Sequence, residues 1–177
     1  LSLVIATRRD AACRPHPLRR ALAAIAAAEQ PTGGVEVLVV DQGDDERVAR
    51  IIAEPVMRGL HVRHVRVGWV NADRARNLGA SLARAPWLAF PDDDAAYAPD
   101  ALVRAVQLIA AEPAALVVGG CLVDDLDRPH QMSWPSDPRP ITTATTTSTT
   151  IETTVFVQRE RRSEEHTSEL QSRLHLV

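Results

Sequence analysis

Short apolar runs alternate with stretches of helical periodicity along most of the chain. No other feature limits the fold as much. LSLVIAT (1–7), VEVLVVD (35–41), WLAF (87–90) and ALVVGGCLV (115–123) read as buried strands, and HVRHVRV (61–67) alternates Val with His or Arg as a half-exposed strand does. Between them, LRRALAAIAAAEQ (18–30) sets Leu18, Leu22 and Ile25 on one helical face, and Pro31-Thr32-Gly33-Gly34 ends it. DERVARIIAE (45–54) predicts a short helix, with Asp44 or Asp45 near its start, where a carboxylate suits the helix dipole. NADRARNLGASLARA (71–85) puts Ala75, Leu78 and Leu82 on one face. Pro99 opens a further helix through Ala111, since proline suits the first helical position. Alternation of this kind predicts an α/β fold with a mainly parallel sheet flanked by helices.

Parallel sheets bind ligands beyond the carboxyl ends of their strands. The polar residues fall there: Thr7-Arg8-Arg9-Asp10 after the first strand, Asp41-Gln42-Gly43 after the second, and Asp92-Asp93-Asp94 after WLAF. Past residue 124 the character changes. DDLDRPHQMSWPSDPRP is a Pro- and Asp-rich connection, and ITTATTTSTTIETTVFVQRE predicts an extended loop, then one or two strands around Val155-Phe156-Val157.

Composition excludes several chemistries. All 20 basic residues are Arg, so enzymes that need a catalytic or phosphate-binding Lys are out of reach. The net charge of −3 and the lack of a basic run argue against nucleic acid as a partner. No apolar stretch nears the roughly 20 residues that cross a bilayer. Cys13 and Cys121 sit in no metal or redox spacing and read as reduced thiols.

Three consecutive carboxylates repel one another, and partial burial raises their pKa values. A helix cap does not explain them, because the helix start implied by Pro99 puts the cap near Ala98; a solvated acidic turn is one reading and a cation site the other. In an extended segment Asp92 and Asp94 share a side while Asp93 points away. Two oxygen donors at that spacing suit Mg²⁺ or Mn²⁺, with phosphate oxygens and water completing the shell.

Taken in order, SLVIATRRD, VEVLVVDQGDD and ADRARNLGASLARAPWLAFPDDD resemble the nucleotide-binding half of the family-two, GT-A fold, inverting glycosyltransferases. The resemblance covers residues 1 to about 161. It implies a nucleoside-diphosphate sugar as donor, an unknown glycan or lipid-linked acceptor, and Mg²⁺ or Mn²⁺ as cofactor. Carried over, it implies that Asp41 contacts the nucleobase and that Thr7 and Arg9 line the base pocket. Arg76 lies near the base or pyrophosphate, Asp92 contacts ribose or metal, and Asp94 ligates the metal. Asp93 is counted with the donor-binding residues. Asn77 holds local backbone, Gly79 lets helix and strand approach closely, and Arg74 is a solvated helix residue. Two departures stand out: Asp41-Gln42-Gly43-Asp44 where the family often has Asp-Gly-Ser, and Pro91 where it has an apolar residue.

The implied reaction is displacement at the anomeric carbon by an acceptor hydroxyl. The family's general base follows a Gly-rich loop in the second half of the domain, and no such motif is found here. Asp124, Asp125 and Asp127 are not assigned that role, though they are acidic enough to line a sugar pocket. Trp134 and His130 read as loop residues. RSEEHTSELQSRLHLV (162–177) looks like the in-frame translation of a sequencing-adapter oligonucleotide and is set aside from the fold. The expectation is a GT-A domain over 1–161, cut short at both ends, that binds donor weakly and catalyses little. It would act in the cytoplasm or at the inner face of the membrane. Two rivals are weighed. A sugar nucleotidyltransferase would want glycine after the first strand, and ATRRDAAC has none; a non-catalytic nucleotide-sugar or carbohydrate-binding domain is the other. A dinucleotide oxidoreductase is excluded by the lack of G-x-G-x-x-G.

Overall fold

The computed structural model describes residues 1–8, 16–115, 117–119 and 155–161. Arg9, Asp10, Cys13, Cys121, Asp124, Asp125, Asp127, His130 and Trp134 lie outside the described residues, as do the Thr-rich run 142–150 and the tail 162–177.

Six strands form one sheet: β1 (Ser2–Thr7), β2 (Glu36–Asp41), β3 (His61–Arg66), β4 (Trp87–Ala89), β5 (Val117–Gly119) and β6 (Val155–Gln158), in the order β3-β2-β1-β4-β6-β5. β1 pairs in parallel with β2 and β4, and β2 with β3. β6 runs antiparallel to both β4 and β5, so five strands share a direction and one opposes them. The sheet is mainly parallel, as the alternation predicts. β3 is an edge strand, which accounts for its alternating polarity: its residues are half-buried or exposed, while every residue of β2 is buried.

The central strands carry apolar side chains to both faces. On one face Leu3, Ile5, Val37, Val39 and Phe156 pack with α1 (Leu18–Ala27), α2 (Arg47–Ile52) and α4 (Ala101–Ala111). On the other, Val4, Leu38, Val40, Leu88 and Val157 pack with α3 (Ala72–Leu82). Helices therefore cover both faces.

α1 buries Leu18, Leu22 and Ile25 as the periodicity predicts, with Ala21 added. It ends at Ala27, where the Gln30 side chain donates to the carbonyls of Ile25 and Ala28. α2 starts at Arg47, whose N–H donates to Asp45 Oδ1. α4 starts at Ala101 rather than at Pro99; the Pro99 carbonyl instead accepts from Glu29 N–H.

α3 corrects the sequence reading. Ala75, Gly79 and Ala80 are buried, whereas Leu78 is 36% exposed. The helix lies too close to the sheet for large side chains. A Cβ on Gly79 would sit 2.3 Å from Val4 Cγ1 and 3.1 Å from Val40 Cγ2. Leu78 points outward, while Ala75 and Ala80 pack in the core with Leu82 against them.

Candidate functional site

Parallel register brings the polar strand ends into a row. Thr7 pairs with Asp41, and Asp41 with Arg66. Leu3 pairs with Ala89, and the chain beyond β4 brings Asp93 to the end of β1. Thr7 Oγ1 donates to Asp93 Oδ2 at 2.6 Å, and both residues are buried. Asp93 thus faces the end of the sheet, inward. The segment is not extended, however: Ala95 N–H donates to the Asp92 carbonyl, closing a turn. Extended alternation is therefore not what separates the three carboxylates. Asp93 is held inward by Thr7, while Asp94 is exposed.

Asp92 is partnered from across the fold. Arg76 Nη2 donates to Asp92 Oδ1 at 2.9 Å, and Asp73 lies 3.9 Å from the same guanidinium. α3 delivers Arg76 because Asn71 caps it: Asn71 Oδ1 accepts from Arg74 N–H at 2.8 Å, and the small face then fixes the helix against β1. Arg74 is exposed, as expected. Burial, then the neighbouring Asp94 and Asp93, hold the Asp92 carboxyl above its ordinary value despite the pull of Arg76.

Asp41 is almost wholly buried. Its Oδ1 accepts from Gly43 N–H at 2.8 Å, and its Oδ2 lies 2.9 Å from His64 Nε2 and 3.9 Å from Arg66 Nε. The departure from Asp-Gly-Ser has a local reason. A Cβ at residue 43 would stand 3.0 Å from Asp41 Oδ1, so glycine there lets the carboxylate fold back. Gln42 in turn accepts Val70 N–H on Oε1 at 3.1 Å, tying the loop after β2 to the loop after β3.

His64 and Arg66 escape the sequence reading, which places Gln42 at this edge without giving it a role. The available signal is β3 itself: its His64 and Arg66 lie two apart, on the strand that neighbours one ending in Asp. Of the expected donor-binding residues, Thr7, Asp41, Arg76, Asp92, Asp93 and Asp94 all lie at the carboxyl edge; Arg9 is outside the described residues.

No group of three or more His, Cys, Asp or Glu side chains suited to a metal gathers among the described residues. Asp92 and Asp94 nevertheless fit a hard divalent cation. Both offer carboxylate oxygens; burial, and after it the charges of Asp94 and Asp93, raise the Asp92 pKa, so a nearby positive charge would favour its ionised form. Mg²⁺-type sites commonly take only one or two protein carboxylates plus ligand phosphates.

The model of Glycosyl transferase family 2 matches residues 2–161. The chain belongs to that family. No curated protein sequence matches it. Among solved structures, S. aureus TarS 1-349 superposes with a TM-score of 0.61 at 16% identity, over 89% of this chain and 46% of that one. The same protein in complex with UDP-GlcNAc gives 0.58 at 16% identity, over 89% and 45%. The mannosyltransferase PcManGT from Pyrobaculum calidifontis, in complex with GDP-Man and Mn²⁺, gives 0.56 at 22% identity, over 71% and 36%. These likenesses establish the GT-A fold. The chain spans less than half the length of each of these three structures. The fold class inferred from the sequence is borne out. Among the described residues no helix is long and apolar enough to cross a membrane.

Proposed function

We propose that this family-2 chain binds a nucleoside-diphosphate sugar and serves transfer of the sugar, with inversion, to a glycan or lipid-linked acceptor. One observation carries the reading: Arg76 meets the acidic turn Asp92–Asp94 at the carboxyl edge of the sheet. A cation against carboxylates beside three converging loops suits a ligand that bears a diphosphate. Relatives of the same fold in complex with UDP-GlcNAc and with GDP-Man and Mn²⁺ support the donor class and the cation.

Asp92 and Asp94 would hold Mg²⁺ or Mn²⁺, which when bound draws charge from the diphosphate as a Lewis acid. Arg76 supplies a fixed guanidinium beside the same turn, where leaving-group charge develops. Thr7 and Asp93 lock β1 to the turn, so the carboxylates are oriented before the donor arrives. Asp41, backed by His64 and Gly43, sets the shape of the loop on the base side. No described residue is assigned as general base. The reading extends to cell-envelope glycans as products and to the cytoplasmic face of the membrane as the place of work, by analogy with bacterial family members.

Calorimetric titration of the full chain with UDP, GDP, CDP and ADP, with and without Mn²⁺, tests the reading. At least one nucleotide is expected to bind, to need the cation, and to lose most of its affinity in Asp92→Asn. Lack of binding by all four, with cation present, overturns it.

A further inference from the structure

Trp69 is 70% exposed, at the carboxyl edge of the sheet. It stands in the loop between β3 and α3, next to Val70, whose N–H is fixed by Gln42. One face of its ring carries a cation: Arg8 Cζ lies 5.4 Å from the ring centroid. Arg8 follows Thr7 at the end of β1, and Gln42 follows β2, so the loops after β1 and β2 reach the Trp69-Val70 segment of the loop after β3, Arg8 at the indole and Gln42 at the Val70 backbone. A lone exposed apolar side chain is ordinary on a protein surface. Among the described residues the other large exposed apolar side chains, Val56 and Leu78, fit that description, because neither lies at the ligand edge. Trp69 differs in position, in size, and in being held by a guanidinium on one side.

We infer that Trp69, steadied by Arg8, is the platform on which the nucleobase of the donor stacks. The inference rests on the donor reading above and names the residue that grips the base. The chemistry favours a heteroaromatic base over a sugar ring. A base presents a flat π-face of indole size, and an indole already oriented by a cation binds such a face without further ordering. The charged diphosphate is served elsewhere, by Arg76 and the acidic turn, which leaves the uncharged planar part of the ligand for the indole. Stacking is tolerant of base identity. Trp69 therefore contributes affinity for any nucleotide, and the choice among bases falls to polar groups such as those around Asp41.

The test compares the full chain with Trp69→Leu, Trp69→Phe and Arg8→Gln in the presence of Mn²⁺. The probes are the nucleoside diphosphate that binds the parent chain best and inorganic pyrophosphate. Trp69→Leu is expected to weaken the nucleotide roughly tenfold or more. Pyrophosphate affinity should stay within twofold, and Trp69→Phe should recover most of the loss. Arg8→Gln should weaken the nucleotide less than Trp69→Leu does. Binding is expected to quench tryptophan fluorescence in the parent chain, and that quench to vanish in Trp69→Leu. Because Trp69 is so exposed, its substitution leaves folding intact, which an unchanged circular dichroism melt checks. Nucleotide binding within twofold of the parent in Trp69→Leu overturns the inference and leaves the donor reading standing. A parent chain that binds no nucleotide overturns both. Equal loss of nucleotide and pyrophosphate in Trp69→Leu also overturns it, since the effect would then not be stacking of the base.

Discussion

Arg76, on α3, and Asp92, on the turn after β4, are joined by a 2.9 Å contact between Nη2 and Oδ1. The guanidinium side chain is 13% exposed and the carboxylate side chain 46%. This pair answers how three adjacent carboxylates are tolerated. Thr7 takes one inward, Arg76 neutralises another, and Asp94 is exposed. It also joins the helix and the strand whose positions define the carboxyl edge.

Replacing Arg76 by Gln should raise the Asp92 carboxyl further above its ordinary value. Burial, Asp94 and Asp93 would then act without the opposing charge. Carbon-detected NMR titration of the side-chain carboxyl measures the direction. A downward movement would contradict the electrostatic account. Because Asp92 is partly exposed, the stability change should be small, about 1 kcal/mol or less.

The Thr7–Asp93 bond is buried and should matter more for stability. Thr7→Val keeps the shape and removes a charge-assisted donor, which costs roughly 1.5–3 kcal/mol. Thr7→Ser should restore most of it. Urea denaturation of the two variants decides, and equal midpoints for Val and Ser would refute the bond's role.

Gly79→Ala should destabilise the protein although alanine is the better helix former. The added Cβ would lie 2.3 Å from a branched residue in the centre of the sheet. Overpacking costs about 1–3 kcal/mol, against about 1 kcal/mol gained in helix propensity. Combining it with Val4→Ala makes room, so the pair should be less destabilised than the sum of the singles. A strictly additive double-mutant cycle would dismiss the close-approach explanation.

At the opposite edge of the sheet, Glu36 is buried and clamps three segments. Its Oε1 accepts from Ser2 Oγ and from the N–H groups of Arg84 and Ala85. Arg63 Nη1 stands 3.7 Å from Oε2, too far for a hydrogen bond but close enough to act as a charge. Burial alone would push the Glu36 carboxyl up; the three donors and Arg63 outweigh it and hold the carboxyl below its usual 4.5. A depressed folded-state pKa gives stability that is present above the unfolded value and lost as pH falls through the folded one. Glu36→Gln should therefore lose about 1–3 kcal/mol at pH 7. That difference from the parent should shrink below about pH 4.5. Chemical denaturation at pH 7 and at pH 3 reads it, and a gap that stays constant across that range would rule it out.

Several features were legible because they follow from local rules. The strands, their parallel sense and the clustering of polar residues at one edge come from apolar runs interrupted by helical periodicity. Asp45 acts near the start of α2 as its chemistry suggests. The Asp92–Asp94 turn stood out as a site because three adjacent carboxylates need an external partner. On α3, Ala75 and Leu82 pack toward the sheet as the periodicity suggests, but Leu78 does not, since periodicity weighs a residue by its apolarity and cannot sense how near the sheet lies. His64 and Arg66 were missed, and Gln42 was placed at the edge without a role, because their partners come from adjacent strands and loops.

The sequence by itself determined the element order, the parallel sheet and the edge at which the carboxylates gather, because hydrophobic period and turn chemistry are local properties of the chain. Only the tertiary structure decided which carboxylate faces inward, which cation meets Asp92, and that Arg8 lies against Trp69. Those contacts join residues far apart in sequence, and their geometry is set by strand register and by the close seat that Gly79 gives α3.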